Sequence, residues 1–174
     1  KPITLSGSFS EAMTSPGYWQ NNWNSNHYRW NNNFKKEGET RFNVAFEVPD
    51  YGIELGFWQS ILRNKIYYGP EVVPVQHDGA VSVTSIYAQK NFNIKGLHLD
   101  HRVLVQLTSD RYVVPVPLVS TFFSYYYEFW VKRDVLRVQL GIDGRYNTSY
   151  YAPSYNPALS AFFNQREVRV GNYP

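Results

Sequence analysis

The stretch that decides the fold is Tyr125–Tyr146, YYYEFWVKRDVLRVQLGIDGRY. After the charged tripeptide KRD it alternates strictly. Leu136, Val138, Leu140 and Ile142 fall on one parity, and Arg137, Gln139 and Asp143 on the other. Alternation with period 2 is the mark of a strand with one apolar and one polar face. Two environments ask for such a strand: a half-buried sheet in a soluble protein, and a wall between lipid and water. Periodicity alone does not separate them.

Working outward, the same pattern recurs along the chain. Phe42, Val44 and Phe46 share a parity against Arg41, Asn43 and Glu47. Val103, Val105 and Leu107 do so against Arg102 and Gln106, and Phe123, Tyr125, Tyr127 and Phe129 against Glu128. The pattern predicts seven strands, at about 4–13, 40–48, 53–68, 80–91, 97–108, 118–131 and 135–150. Helical periodicity is nearly missing. The connections alternate between long and short. The short ones are Pro49–Gly52, Phe92–Gly96 and Lys132–Asp134; the rest are long, rich in Asn, aromatic residues or Pro. Several strands exceed the usual globular length of about 5–6 residues and reach the roughly 9–11 that a tilted strand needs to cross hydrocarbon.

Composition bounds the function. The chain has 174 residues, 18% of them aromatic, with 15 Tyr and no Cys. One domain, residues 1–174, accounts for that length. There is no disulfide framework and no thiol chemistry. The net charge is +3, with charges scattered singly, so no basic footprint for nucleic acid is present. No apolar run approaches a membrane helix. A mean hydropathy of −0.44 does not argue against a β-barrel, whose strands hide their lipid face in a window average. Aromatic residues gather near the KRD turn (Tyr125, Tyr127, Phe129, Trp130) and near the far end of the next strand (Tyr146, Tyr150, Tyr151), where interfacial girdles belong. Seven open strands leave two unpaired edges, and both chain ends read as cut, so the expectation is an arc of a larger barrel.

Several of these stretches resemble a known family. They are SNHYRWNNNFKKE (25–37), IYYGPEVVPVQ (66–76), GLHLDHRVLVQLTSD (96–110), VPVPLVS (114–120) and the last third from Leu136 to Pro174. In order and spacing they resemble the putative porin family of Gram-negative outer membranes. The resemblance implies an outer-membrane β-barrel for passive diffusion of small hydrophilic solutes. It also implies that this chain is a fragment of the C-terminal half, since members continue beyond the equivalent of GNYP. It brings no catalytic residue and no cofactor. Its implied partners are outer-membrane lipid and small solutes; a homo-oligomer is compatible, although no stretch marks its face.

The fold expectation is therefore all-β: an antiparallel up-and-down meander of about seven long strands, an open segment of a transmembrane barrel. The polar parity, Arg41, Asn43, Glu47, Arg102, Gln106, Glu128, Arg137, Gln139, Asp143 and Arg145, is expected to line the lumen. Glu128 and Asp143 read as rungs of a charge ladder rather than an acid–base pair. His98 and His101 sit three apart on one strand and so point to opposite faces, which argues against a shared metal. The loop from Tyr18 to Phe34 carries Trp19, Trp23, Tyr28 and Trp30 among asparagines. That combination suits a sugar, and it supplies the alternative reading: a soluble or surface all-β domain recognising glycans through this loop.

Overall fold

The computed structural model describes residues 3–172. Lys1, Pro2, Tyr173 and Pro174, and with them both ends of the expected 1–174 domain, lie outside the described residues. The elements run β1 (Thr4–Thr14), a one-turn helix α1 (Tyr18–Asn21), β2 (Asn22–Asn24), β3 (Arg29–Asn31), β4 (Glu37–Val48), a 3₁₀ turn (Pro49–Tyr51) and β5 (Ile53–Arg63). Then follow β6 (Ile66–Tyr68), β7 (Pro74–Gln76), β8 (Ala80–Ile94), β9 (Leu97–Thr108), β10 (Val119–Lys132), β11 (Leu136–Asn147), β12 (Ser154–Asn156) and β13 (Ala161–Phe163).

Seven strands form one antiparallel sheet in the order β1-β4-β5-β8-β9-β10-β11. Each long strand pairs with its neighbour along the meander, as expected of an up-and-down wall. The sheet is open, with β1 and β11 at its edges. The short strands pair locally as β2–β3, β6–β7 and β12–β13. Strand lengths of 11 to 15 residues correspond to roughly 36–50 Å of extended chain.

The boundaries depart from expectation where local chemistry overrides alternation. The third strand stops at Arg63, not Tyr68, because Asn64 takes a left-handed conformation (φ 54°). The stretch that follows is a separate hairpin, so GPEVVPVQHDG contains β7 rather than only loop. The turn expected at Phe92–Gly96 shrinks to Lys95–Gly96, since Phe92 and Ile94 continue the apolar parity of β8. Lys95 (φ 49°) and Gly96 (φ 87°) are both left-handed, the two-residue hairpin geometry whose twist matches the strands. A side chain at Gly96 would meet the Glu128 carbonyl at 2.6 Å. The last long strand ends at Asn147, not Tyr150, and the tail folds into β12–β13.

The ends of the sheet are unlike. All the short turns lie at one end and all the long connections at the other. The turns also step. In the row Val48–Ile53–Lys90–His101–Phe123–Gly144, β4 and β5 have reached their turn. β8 runs on from Lys90 to Ile94, and β10 from Phe123 to Lys132, before turning. Such a steady stagger is how a sheet of tilted strands curls toward a barrel.

Registered pairs share a face, so the ladder fixes which residues lie together. The apolar parities of every strand fall on one face: Leu5, Phe46, Leu55, Ala88 and Val103 form one continuous row. This face is bare. Phe9, Leu140 and Ile142 are 69%, 74% and 67% exposed. The main-sheet residues that are buried, Gly56, Val81, Ser85 and Tyr87, lie on the opposite, polar face. The accessible surface is 11984 Å² for 20.3 kDa, against about 8,800 Å² for a compact soluble monomer of that mass. Among the described residues, the apolar face is thus not the core of the molecule.

Candidate functional site

The polar face carries every residue expected to line a lumen. The register places Arg41, Asn43, Glu47, Arg102, Gln106, Glu128, Arg137, Gln139, Asp143 and Arg145 on this one side. Near the turn end, Glu128 is a hub. Gln139 Nε2 donates to its Oε2 at 2.6 Å, and Arg137 pairs with its Oε1. His98 Nε2 lies 4.0 Å from the same oxygen, its ring stacked on Tyr126 at 4.4 Å. Asp143 sits elsewhere, opposite Ser124, so the two carboxylates do not form an acid–base pair. Trp130 corrects one expectation: it pairs with Arg137 on the polar face and receives that guanidinium over its ring at 5.6 Å, instead of joining a lipid-side girdle.

In the row beside the β4–β5 turn the charges separate laterally. Glu47 faces Glu54 across β4 and β5. The same row continues through Gln89 to Arg102, then Phe122 and Arg145. Two opposed carboxylates repel, and Glu54 is held by the Tyr87 hydroxyl that donates to it. Arg102 is held too: its Nε and Nη2 donate to Gln89 Oε1 at 2.9 and 2.6 Å. Arg145 lies over Phe122 at 5.4 Å. The remaining residues make local contacts. Arg41 pairs with Glu39 at 2.6 Å, Asn43 Nδ2 donates to Ser8 Oγ at 3.0 Å, and Gln106 lies opposite Ser85.

Sequence reading missed Glu54, Tyr87 and Glu37. Tyr87 covers Gly56 directly across the strands, where a Cβ would collide with the ring. Large aromatics rescue strand glycines in this way. Glu37, on the polar face at the top of β4, accepts from the Ile66 backbone N–H at 2.8 Å and from Lys65 Nζ at 3.0 Å. These bonds tie the start of the β6–β7 hairpin to the end of β4. The loops also tie to one another. Asn164 N–H donates to the Tyr68 carbonyl at 2.8 Å, and its Nδ2 to the carbonyls of Tyr112 and Val113 at 2.7 and 3.0 Å. Burial raises the pKa of Tyr68 above its ordinary value of 10.0.

The first long loop forms a second constellation at this end. Trp23 and Trp30 pair across β2–β3 with rings stacked at 5.8 Å, and Trp19 meets Trp23 edge-on at 5.4 Å. Together with Tyr68 and residues 158–161 they border a cleft of about 870 Å³. Tyr28, expected in the same platform, is a strut: its hydroxyl accepts from Asn156 Nδ2 at 2.9 Å. His98 and His101 diverge as expected, His98 onto Tyr126 and His101 to the Tyr125 hydroxyl at 2.7 Å on the apolar face. Among the described residues no group of three or more His, Asp or Glu side chains is placed to hold a metal ion, and no helix is long and apolar enough to cross a membrane.

A single open antiparallel sheet, polar on one face and apolar and largely exposed on the other, defines a β-sheet wall. The family described as Putative porin matches residues 1–174, and the chain belongs to that family. Its members are channels rather than enzymes, and its name carries a transport role and an outer-membrane location. No curated protein and no solved structure matches the chain.

Proposed function

We propose that the seven strands are an arc of an outer-membrane barrel through which small hydrophilic solutes diffuse passively. The observation that carries this reading is the exposed apolar face: Phe9, Leu140 and Ile142 stand open on it, while the main-sheet residues that are buried lie on the polar face. Water cannot be the resting environment of a continuous row of Leu, Phe, Ile and Val side chains. Lipid can. The arc must be extended before it closes. In an antiparallel meander of seven strands, β1 and β11 run in the same direction. They cannot meet antiparallel without at least one further strand, and we assign the further strands to the rest of the same protein.

Selectivity on this reading comes from the lateral charge separation. Glu47 and Glu54 on one side face toward Arg102 and Arg145 on the other, within a wall whose neighbouring strands are about 4.8 Å apart. A field along a wet wall sorts ions by sign. The loops anchored by Glu37 and Asn164 narrow the long-loop end.

The chain has no Cys, so single-cysteine variants test the two faces cleanly. Ile142→Cys and Asp143→Cys are neighbours on opposite faces. In lipid vesicles, a fluorophore on the first is expected to be quenched by brominated acyl chains, and the second to react with a water-soluble maleimide. Equal reaction of both with the maleimide would overturn the reading and return the soluble glycan-binding alternative.

A further inference from the structure

We propose that the cleft built by the first long loop is a saccharide-binding site, a recognition function separate from conduction. The argument begins with the hairpin β2–β3. Its paired positions alternate: Trp23 faces Trp30 on one side, and Asn22 faces Asn31 and Asn24 faces Arg29 on the other. The aromatic part is fixed without any ligand. Trp30 Nε1 donates to the Trp19 carbonyl at 2.9 Å, and Trp23 Nε1 to Ser25 Oγ at 3.1 Å. Both indole N–H groups are thus used internally. What the rings offer outward is their carbon surface.

Trp19 stands at 76° to Trp23, and as a residue it is 62% exposed. This is a corner of rigid aromatic walls held open to solvent. Rigid aromatics supply contact area at low entropic cost, so the site is ordered before it binds. The polar part is the opposite case. Among the described residues, the side chains of Asn22, Asn24, Asn31 and Arg29 make no hydrogen bond or ion pair with the protein, although all border the cleft. Neighbouring asparagines of the same loop are used: Asn21 Oδ1 accepts from Phe34 N–H at 3.2 Å, and Asn32 Nδ2 donates to the Gln20 carbonyl at 3.1 Å. The loop therefore spends some amides on its own architecture and leaves three free at the cleft.

That donor set selects the ligand chemistry. A primary amide both donates and accepts, which matches hydroxyl groups that do the same. Among the described residues no carboxylate borders the cleft, which disfavours a cation there. An apolar ligand would leave the amides unpaired on burial, a cost of about 1–3 kcal/mol for each. A saccharide of more than one ring satisfies both halves: one ring lays its C–H face on an indole, and the hydroxyls of a neighbouring ring meet the amides that the hairpin presents from its other side. The volume of about 870 Å³ lies within the range of small-molecule sites and accommodates more than one ring, so the ligand is a short oligosaccharide. The cleft closes only when residues 158–161 come beside the first loop, an approach made firm by the bond between Tyr28 and Asn156.

The test is binding by the full chain folded in lauryldimethylamine oxide, a detergent without a sugar headgroup, followed by tryptophan fluorescence. The probes are maltohexaose, cellohexaose and N-acetylchitohexaose. At least one is expected to give a saturable spectral change. Trp19→Ala should weaken that response at least tenfold, and Asn31→Ala, which leaves the aromatic cluster untouched, about five- to tenfold. Trp19→Phe should recover part of the loss. A lack of response to all three sugars would overturn the proposal. So would a response that survives Trp19→Ala, or one indifferent to Asn31→Ala. Bilayer conductance in the same preparation separates the readings: channels that conduct but bind no sugar sink this inference and leave the porin reading intact.

Discussion

The two faces of the sheet obey opposite rules. On the apolar face, large side chains such as Leu140 stand in the open with no layer over them. On the polar face, Ser85 and Tyr87 are buried, Tyr87 over Gly56 and against Trp58 of the neighbouring strand. A soluble protein has the reverse arrangement, because burial of apolar area is its main favourable term. Here the sequence alternates as a soluble sheet does, yet the buried residues of the sheet lie on the polar side. At the long-loop end the connections are tied by specific polar bonds, such as Ile66 N–H to Glu37 and Asn164 N–H to the Tyr68 carbonyl. Patterning sets which residues share a face, and the polar bonds set how the connections sit at the long-loop end.

The comparison breaks most easily at Leu140. Leu140→Arg places a charge on the bare face near the middle of β11. In lipid it should destabilise the folded state by about 2–4 kcal/mol. In a soluble sheet the same change, at a residue already 74% exposed, would stay within about 0.5 kcal/mol. Urea titration of the protein refolded in vesicles reads the difference directly. A near-neutral result would mean that the bare face does not meet hydrocarbon.

The polar face is probed by Glu37→Ala. The substitution removes one acceptor shared by a buried backbone N–H and a lysine. Loss of hydrogen bonds to a charged group costs about 1.5–3 kcal/mol, and the effect should be local. Limited proteolysis should cut the 64–79 connection faster, and single-channel conductance should rise as the hairpin leaves the lumen. Faster cutting with unchanged conductance would show that the hairpin does not narrow the path.

Gly56→Val tests packing on the same face. The new side chain would occupy the space of the Tyr87 ring and displace it from the Glu54 carboxylate it serves. Overpacking of this kind costs about 1–3 kcal/mol. A combined Gly56→Val, Tyr87→Ala variant should regain part of that loss in thermal unfolding. If the double variant is no better than the single, the ring is not the group that collides.

Much of this was legible in the sequence, for a reason confined to strands. Side-chain period is two, so once a residue such as Leu140 is assigned to a face, Arg137 and Asp143 follow. Short turns then carry the parity from strand to strand. What alternation cannot carry is identity on an aromatic-rich strand. In YYYEFW both parities are aromatic, and Trp130 falls with Glu128 although it reads like a lipid-side residue. Nor does alternation reach the loops. The bond between Tyr28 and Asn156 joins segments 128 residues apart, and neither stretch alone announces the other. The Trp19, Trp23 and Trp30 cluster was visible as composition, while the role of Tyr28 as a strut depended on that distant partner. Glu37 looked like the end of a loop, because its value lies in a backbone N–H supplied by another connection.

The finest contrast lies within the polar face, between its acidic and basic sides. Arg102 and Glu54 stand on one row, separated by Gln89. Both are held by neutral partners, Gln89 and Tyr87, so neutralising either leaves no opposite charge stranded. Stability should move by no more than about 0.5 kcal/mol. Ion preference should move in opposite directions. In a potassium chloride gradient, Arg102→Gln should shift the reversal potential toward cation selectivity, and Glu54→Gln toward anion selectivity. The shifts should shrink as ionic strength rises, because screening over about 10 Å is already strong at 0.1 M salt. Opposite, salt-sensitive shifts would place both residues beside the same conducting path. Shifts of the same sign, or none from either, would mean that ions pass along another part of the wall and that this row only holds its own strands in register.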